Sequence, residues 1–152
     1  MAIDRKKLLE YRGTVIEKSV NIETILSALI SLHYFKCLLT NFVLEVLYDE
    51  YFSFALKRRI IEKVIPNLDK HMIDDLNRLS TIRNYFAHCG IEFVRKEERD
   101  VGGRIYDPRD IKKEIDFEAL FKEFIEKEPK VTKYFFDIYR EMGGKAEKIN
   151  PV

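Results

Sequence analysis

Apolar residues between positions 4 and 35 recur at the helical period. Ile22, Ile25, Leu26, Leu29, Leu32 and His33 follow the i, i+3, i+4, i+7 rule. Apolar side chains also fall off that stripe, at Val20, Ile30 and Phe35. The segment therefore reads as one long helix or two, central in a bundle. Thr40 is placed to cap a short helix, "NFVLEVLYDEY", and Ser53 to cap another, "FALKRRIIEKVI", which ends at Pro66. The next helix is expected from about Asp69 to His88, with Gly90 as its stop.

After residue 90 the pattern changes. "IEFVRKEERDVGGRIYDPRD" carries short alternating runs around Gly102-Gly103, followed by Asp107-Pro108. It reads as a small β-hairpin or a long ordered loop inserted after the preceding helix, over about 91–110. Asp116 then caps "FEALFKEFIEKE", whose Phe117, Leu120, Phe121, Phe124 and Ile125 line one face. Pro129 kinks or restarts the helix, and the period continues through Val131, Tyr134, Phe135, Ile138 and Met142 to Gly143-Gly144. The expectation is an all-α fold: a four- to five-helix bundle forming a single domain over 1–145, with a frayed tail at 146–152.

Composition adds little to this picture and removes several function classes. With 152 residues, 46% hydrophobic and 35% charged, the chain suits one ordinary globular core. A net charge of +1 gives no sign of a chain coated for nonspecific nucleic-acid binding. The cysteines, Cys37 and Cys89, form no CxxC, which fits a reducing cytosol better than a disulfide scaffold. The start, "MAIDRKKLLEYR", has no apolar signal core, and "TILSALISLHYF" is too short to span a bilayer. A soluble, cytoplasmic chain with no membrane partner is expected. His33, His71 and His88 lie far apart with no ligand cluster, and neither GxGxxG nor a P-loop occurs, so no metal or other cofactor is expected.

One stretch carries chemistry. In "LNRLSTIRNYFAHCG" the residues Met72, Leu76, Leu79, Phe86 and Ala87 form an apolar stripe at 100° per residue, and Arg83 lands near its middle. Asn77, Asn84 and His88 share an adjoining polar face, with Asn84 and His88 at i, i+4. A buried guanidinium needs an acid, for which Glu17, Glu23 and Glu45 are candidates, or it faces a cleft that something anionic enters. A histidine at a helix end also serves as a dipole partner, and a lone arginine on an apolar face also snorkels. Arg-x4-His arises by chance about one time in five in such a composition; requiring Asn after the Arg lowers this to roughly one in a hundred.

"IRNYFAH" resembles the signature of the HEPN superfamily: an arginine, a polar residue and a histidine near the end of a bundle helix. Arg83, Asn84 and His88 are the matching positions. "FSFALKRRIIEKVI" and "IDDLNRLSTIRNYFAH" look similar to the mannitol-operon-repressor-like branch, with an F-x-x-K helix before an IRN-x-FAH helix. The likeness covers about residues 8 to 90. It implies a homodimer with a composite cleft and a metal-independent endoribonuclease site at Arg83, Asn84 and His88, in a toxin or defence setting. A non-catalytic regulatory protein is the alternative it implies. RNA and an antitoxin or regulatory protein are the implied partners. Lys57, Arg58 and Arg59 form a basic run that suits RNA phosphates, as do Arg95, Lys96, Arg99, Arg104 and Arg109, although Glu97, Glu98 and Asp100 are interleaved with the latter. Tyr85 is placed to stack on a base. Cys89 beside His88 diverges from it on a helix and makes a poor nucleophile pair.

Overall fold

The computed structural model describes the backbone of residues 3–88, 91–96, 100–107 and 110–145, and side chains within 4–88 and 115–145. Its class is all-α. The helices are α1 (Arg5–Phe35), α2 (Thr40–Phe42), which runs into a π-helical turn (Val43–Leu47), α3 (Phe54–Val64), α4 (Lys70–His88) and α5 (Phe117–Glu141). Between α4 and α5 the described backbone at 91–96, 100–107 and 110–114 is extended. β2 (Ile91–Lys96) pairs antiparallel with β3 (Asp100–Asp107), which also pairs with β1 (Ile3–Asp4) and β4 (Asp110–Glu114). Gly102 and Gly103 lie inside β3, opposite Val94 and Phe93. The expected stop at Gly90, Cys89, the Pro108 turn and the tail at 146–152 lie outside the described residues.

The chain divides into two compact units. One comprises residues 1–19 with 78–128, the other 20–77 with 129–152. In the first, Leu8 and Val15 of α1, Leu79, Ile82 and Phe86 of α4, and Phe117 and Phe124 of α5 are buried. Phe86 meets Phe117 edge-on, with ring centroids 4.6 Å apart, and Tyr11 stacks on Phe121 at 3.8 Å. Arg78 grips Glu123 with two parallel bonds, Nε to Oε1 at 2.7 Å and Nη2 to Oε2 at 2.8 Å. That carboxylate raises the Arg78 pKa above its ordinary value. Lys18 reaches the buried Glu128 at 3.0 Å.

The second unit is organised by α1. Arg5–Phe35 is one continuous helix, not two, and every residue from Ile25 to Leu32 is buried. The helix is thus enclosed all round, as its off-stripe Ile30 implied. Val20 and Phe35 depart from that expectation and stay exposed. Ser27 donates to the Glu23 carbonyl, and Ser31 donates to the Cys37 carbonyl while accepting from the Leu39 amide. The chain therefore reverses after α1 around a buried hydroxyl. Thr40 does not cap the next helix. It lies inside α2, and the Ser31 hydroxyl satisfies the Leu39 amide that precedes it. The expected helix over 41–51 is instead a three-residue α-turn followed by the wider π turn, which buries Val43 and Leu47.

The caps expected at Ser53 and Asp116 are present, and Asp69, the expected start of α4, caps it as well. Ser53 Oγ accepts from the Leu56 amide at 3.2 Å, Asp69 Oδ1 from the His71 amide at 2.7 Å, and Asp116 Oδ1 from the Ala119 amide at 3.0 Å. Pro129 lies within a continuously helical α5. The end of α5 is a Schellman turn: the Gly144 amide donates to the Tyr139 carbonyl, the Gly143 amide to the Arg140 carbonyl, and Gly143 has φ +93°.

Lys57 is fully buried on α3 and is paired there with an acid. Its Nζ sits 2.6 Å from Glu23 Oε1 and 4.9 Å above the Tyr48 ring. Tyr48 is hydrogen-bonded to Thr24 of α1 at 2.5 Å. Removing the acid strands a buried ammonium, which costs about 3–5 kcal/mol, whereas replacing both charges by apolar groups of similar volume is close to neutral. Glu23→Ala is therefore expected to lower urea-unfolding stability by about 3–5 kcal/mol, and Glu23→Leu/Lys57→Met by about 1 kcal/mol or less. Equal losses in the two variants would show that the pair does not act as a buried charge. A second expectation concerns Gly144. A Cβ there would overlap the ring of the fully buried Tyr139. Gly144→Ala is expected to cost about 1–3 kcal/mol, from overpacking. Gly143→Ala meets open space and should cost only its left-handed backbone, about 1 kcal/mol. Thermal unfolding of the two variants side by side checks the order.

Candidate functional site

The last two turns of α4 belong to the first unit. Their buried face is set by Leu79, Ile82 and Phe86. Spacings of three and four residues put these on one arc. Ile82 shares this buried arc, whereas Arg83, expected near the middle of the apolar stripe, is only half-buried. An aliphatic side chain loses nothing on burial there, while a guanidinium loses its hydration. Arg83 consequently sits at the edge of the arc, half-buried. Asn84 and His88 lie on the solvent face, exposed, and Tyr85 is half-buried.

Arg83 is held by its neighbour. Its Nη1 donates to Asn84 Oδ1 at 3.1 Å. The acids weighed as partners are not needed for this: Glu23, for one, is bound to Lys57. The guanidinium keeps donors that no described hydrogen bond uses. Its five N–H donors lie in one plane, and the four left over suit two oxygens of a phosphate. With its oxygen on Arg83, Asn84 has an amide NH₂ to offer toward its i+4 neighbour His88 or toward an anion. His88 is the final residue of α4. The three residues thus form an accessible strip of a charged fork, an amide and an imidazole.

The rest of the predicted set is distributed differently. Lys57 offers no charge to RNA, because it is buried against Glu23; the basic run contributes only its other members. Arg58 is half-buried and Arg59 exposed, both in the second unit. Tyr85, one residue from Asn84, is half-buried and lies within electrostatic range of Arg78. The side chains of Arg95, Lys96, Arg99, Arg104 and Arg109 lie outside the described residues. What sequence reasoning missed is Ile82, and the signal was present: it stands three residues after Leu79 and four before Phe86.

Among the described residues no group of three or more His, Cys, Asp or Glu side chains is arranged to hold a metal ion. No helix among them is long and apolar enough to cross a membrane. No family model, curated protein or solved structure matches the chain.

Proposed function

We propose that the chain is a metal-independent endoribonuclease of HEPN type, acting on single-stranded RNA as a homodimer with Arg83, Asn84 and His88 as its catalytic groups. The observation that carries this reading is the strip at the end of α4. Arg83 is oriented by an amide and not consumed by an acid among its described bonds, and His88 is exposed on the same helix end. In the proposed reaction the RNA 2′-hydroxyl attacks the adjacent phosphorus. A base takes the hydroxyl proton, and an acid protonates the departing 5′-oxygen. The products are a 2′,3′-cyclic phosphate and a 5′-hydroxyl. An imidazole titrates in the range both steps need. Arg83 bears the charge that builds on the phosphorane oxygens. Asn84 aims Arg83. A two-fold axis supplies two copies of His88, one as base and one as acid.

A second reading has its own observation. Tyr34, Phe35, Leu39, Leu44, Tyr48 and Tyr51 are exposed within one short span, Leu44 at 60% and Tyr51 at 82%. Exposed apolar side chains gathered in this way mark association surfaces. They favour a regulatory or interaction protein, with an antitoxin or other protein as partner, in which Arg83 and His88 bind an anionic group without cutting it.

The chemical expectation is cleavage of single-stranded RNA in EDTA with cyclic-phosphate ends, while DNA of the same sequence survives for want of a 2′-hydroxyl. His88→Ala is expected to lower the rate by about 10²–10⁴, and Arg83→Ala by about 10²–10³. Asn84→Ala should lose less. Cleavage that survives His88→Ala defeats the mechanism; binding without cleavage under any condition selects the regulatory reading.

A further expectation separates site from scaffold. Arg83 has no acid to strand among its described hydrogen bonds, so Arg83→Ala should change unfolding stability by no more than about 0.5 kcal/mol. A loss of about 3 kcal/mol or more in urea unfolding would mark Arg83 as half of a structural ion pair instead.

A further inference from the structure

The second unit contains a cavity of about 580 Å³ that has no part in the RNA chemistry. Its walls come from three places: the end of α1, the connection between α3 and α4, and the last two turns of α5. The connection is fixed at several points. The Ile65 amide closes α3 on the Ile61 carbonyl, and Asn67 adopts the left-handed conformation at φ 58°. The Asp69 amide donates to the hydroxyl of Tyr134 on α5 at 2.8 Å, which ties the connection to the opposite wall. A cavity with walls tied in this way is formed before any ligand arrives, so binding does not bear the cost of ordering it.

The lining is apolar on one side and anionic on the other. Val64, Ile65, Leu68 and Ile138 supply hydrocarbon. Asp137 and Glu141 supply two carboxylates one helical turn apart on α5. Asp137 pairs with Lys133 at 2.5 Å, but that lysine is 77% exposed, and such pairs contribute little. A cation inside the cavity can therefore displace it. No described hydrogen bond or ion pair engages Glu141. An anion is repelled from this lining, and a neutral apolar guest would desolvate carboxylates with nothing in return. A guest with a positive head and an apolar body satisfies both sides. The volume lies within the range of about 300–1,000 Å³ typical of small-molecule sites.

We propose that this cavity binds a small organic cation, with its ammonium or guanidinium group between Asp137 and Glu141 and its hydrocarbon body against Val64, Ile65, Leu68 and Ile138. The test is a titration of the full chain with hexylammonium, hexanol and hexanoate, read by amide chemical shifts. Hexylammonium is expected to saturate, with shifts at residues 64–68 and 134–142, while hexanol binds at least about tenfold more weakly and hexanoate does not bind. Glu141→Gln, at an exposed position, and Asp137→Asn/Glu141→Gln should each weaken hexylammonium, the double change by at least about tenfold, while RNA cleavage is unchanged. The proposal is overturned if hexanol binds as tightly as hexylammonium. It is equally overturned if the carboxylate variants bind undiminished, or if hexylammonium does not saturate below about 10 mM. Because the readout is binding, it stands or falls apart from the ribonuclease reading.

Discussion

A stretch of helix buried on every side must be surrounded, and Ile25–Leu32 of α1 is such a stretch. Much of the second unit follows from that enclosure. The two serines within it have no water to turn to, so their hydroxyls must find carbonyls and amides nearby. Ser27 takes the carbonyl four residues back. Ser31 reaches forward to Cys37 and Leu39, and thereby shapes the reversal in which Lys36 adopts a left-handed φ of 60°. The chain that follows turns its Val43 and Leu47 inward. Lys57 on α3 closes the arrangement: its buried charge is tolerable only where Glu23 and the Tyr48 ring meet it, so the ion pair selects one placement of α3 on α1. The contribution of that pair is specificity more than net stability, since two apolar residues would pack there as well.

What the sequence revealed of the fold was what local rules govern. The caps at Ser53 and Asp116, the start of α4 at Asp69, the Gly143–Gly144 stop and the central character of α1 depend on residues within a few positions of one another, and a reader of one chain sees all of them. Thr40 failed as a cap because the helix begins one residue earlier than expected: the Val43 amide donates to the Leu39 carbonyl, which makes Leu39 the N-cap, and the Leu39 amide before it is held by the Ser31 hydroxyl. Lys57 was unreadable for a related reason. Whether a lysine is a surface charge or a buried one depends on an acid 34 residues away, and periodicity carries no such information. The same buried lysine stands in the F-x-x-K segment that prompted a family resemblance, with Phe54 buried one turn before it. In this chain both residues serve packing.

The error over Arg83 is instructive because it was an error of one residue. A stripe drawn through Leu76, Leu79, Phe86 and Ala87 is centred near position 83, and one drawn through Leu76, Leu79, Ile82 and Phe86 is centred on Leu79 and Phe86, with Ile82 and Arg83 on opposite flanks. Desolvation decides between them, and it favours the isoleucine. The correction changes the meaning of the motif. A guanidinium in the centre of a buried stripe would need an acid and would be structural. At the edge, held by Asn84, it is presented to whatever approaches the helix end.

That placement bears on why the proposed chemistry calls for two chains. In-line displacement at phosphorus puts the attacking and departing oxygens on opposite sides of the reacting centre. The proton must be taken on one side and given on the other. One imidazole at one helix end stands on one side only, and the described residues of the α4 end hold a single histidine. A second proton carrier must come from elsewhere, and the economical source is the same residue across a two-fold axis. Exposure of the strip then becomes a requirement, because a site shared by two protomers is built from what each leaves uncovered. On this view the helix end does not complete a site by itself: His88 and Arg83 are half of one, and their accessibility in a single chain is the condition for the other half to reach them.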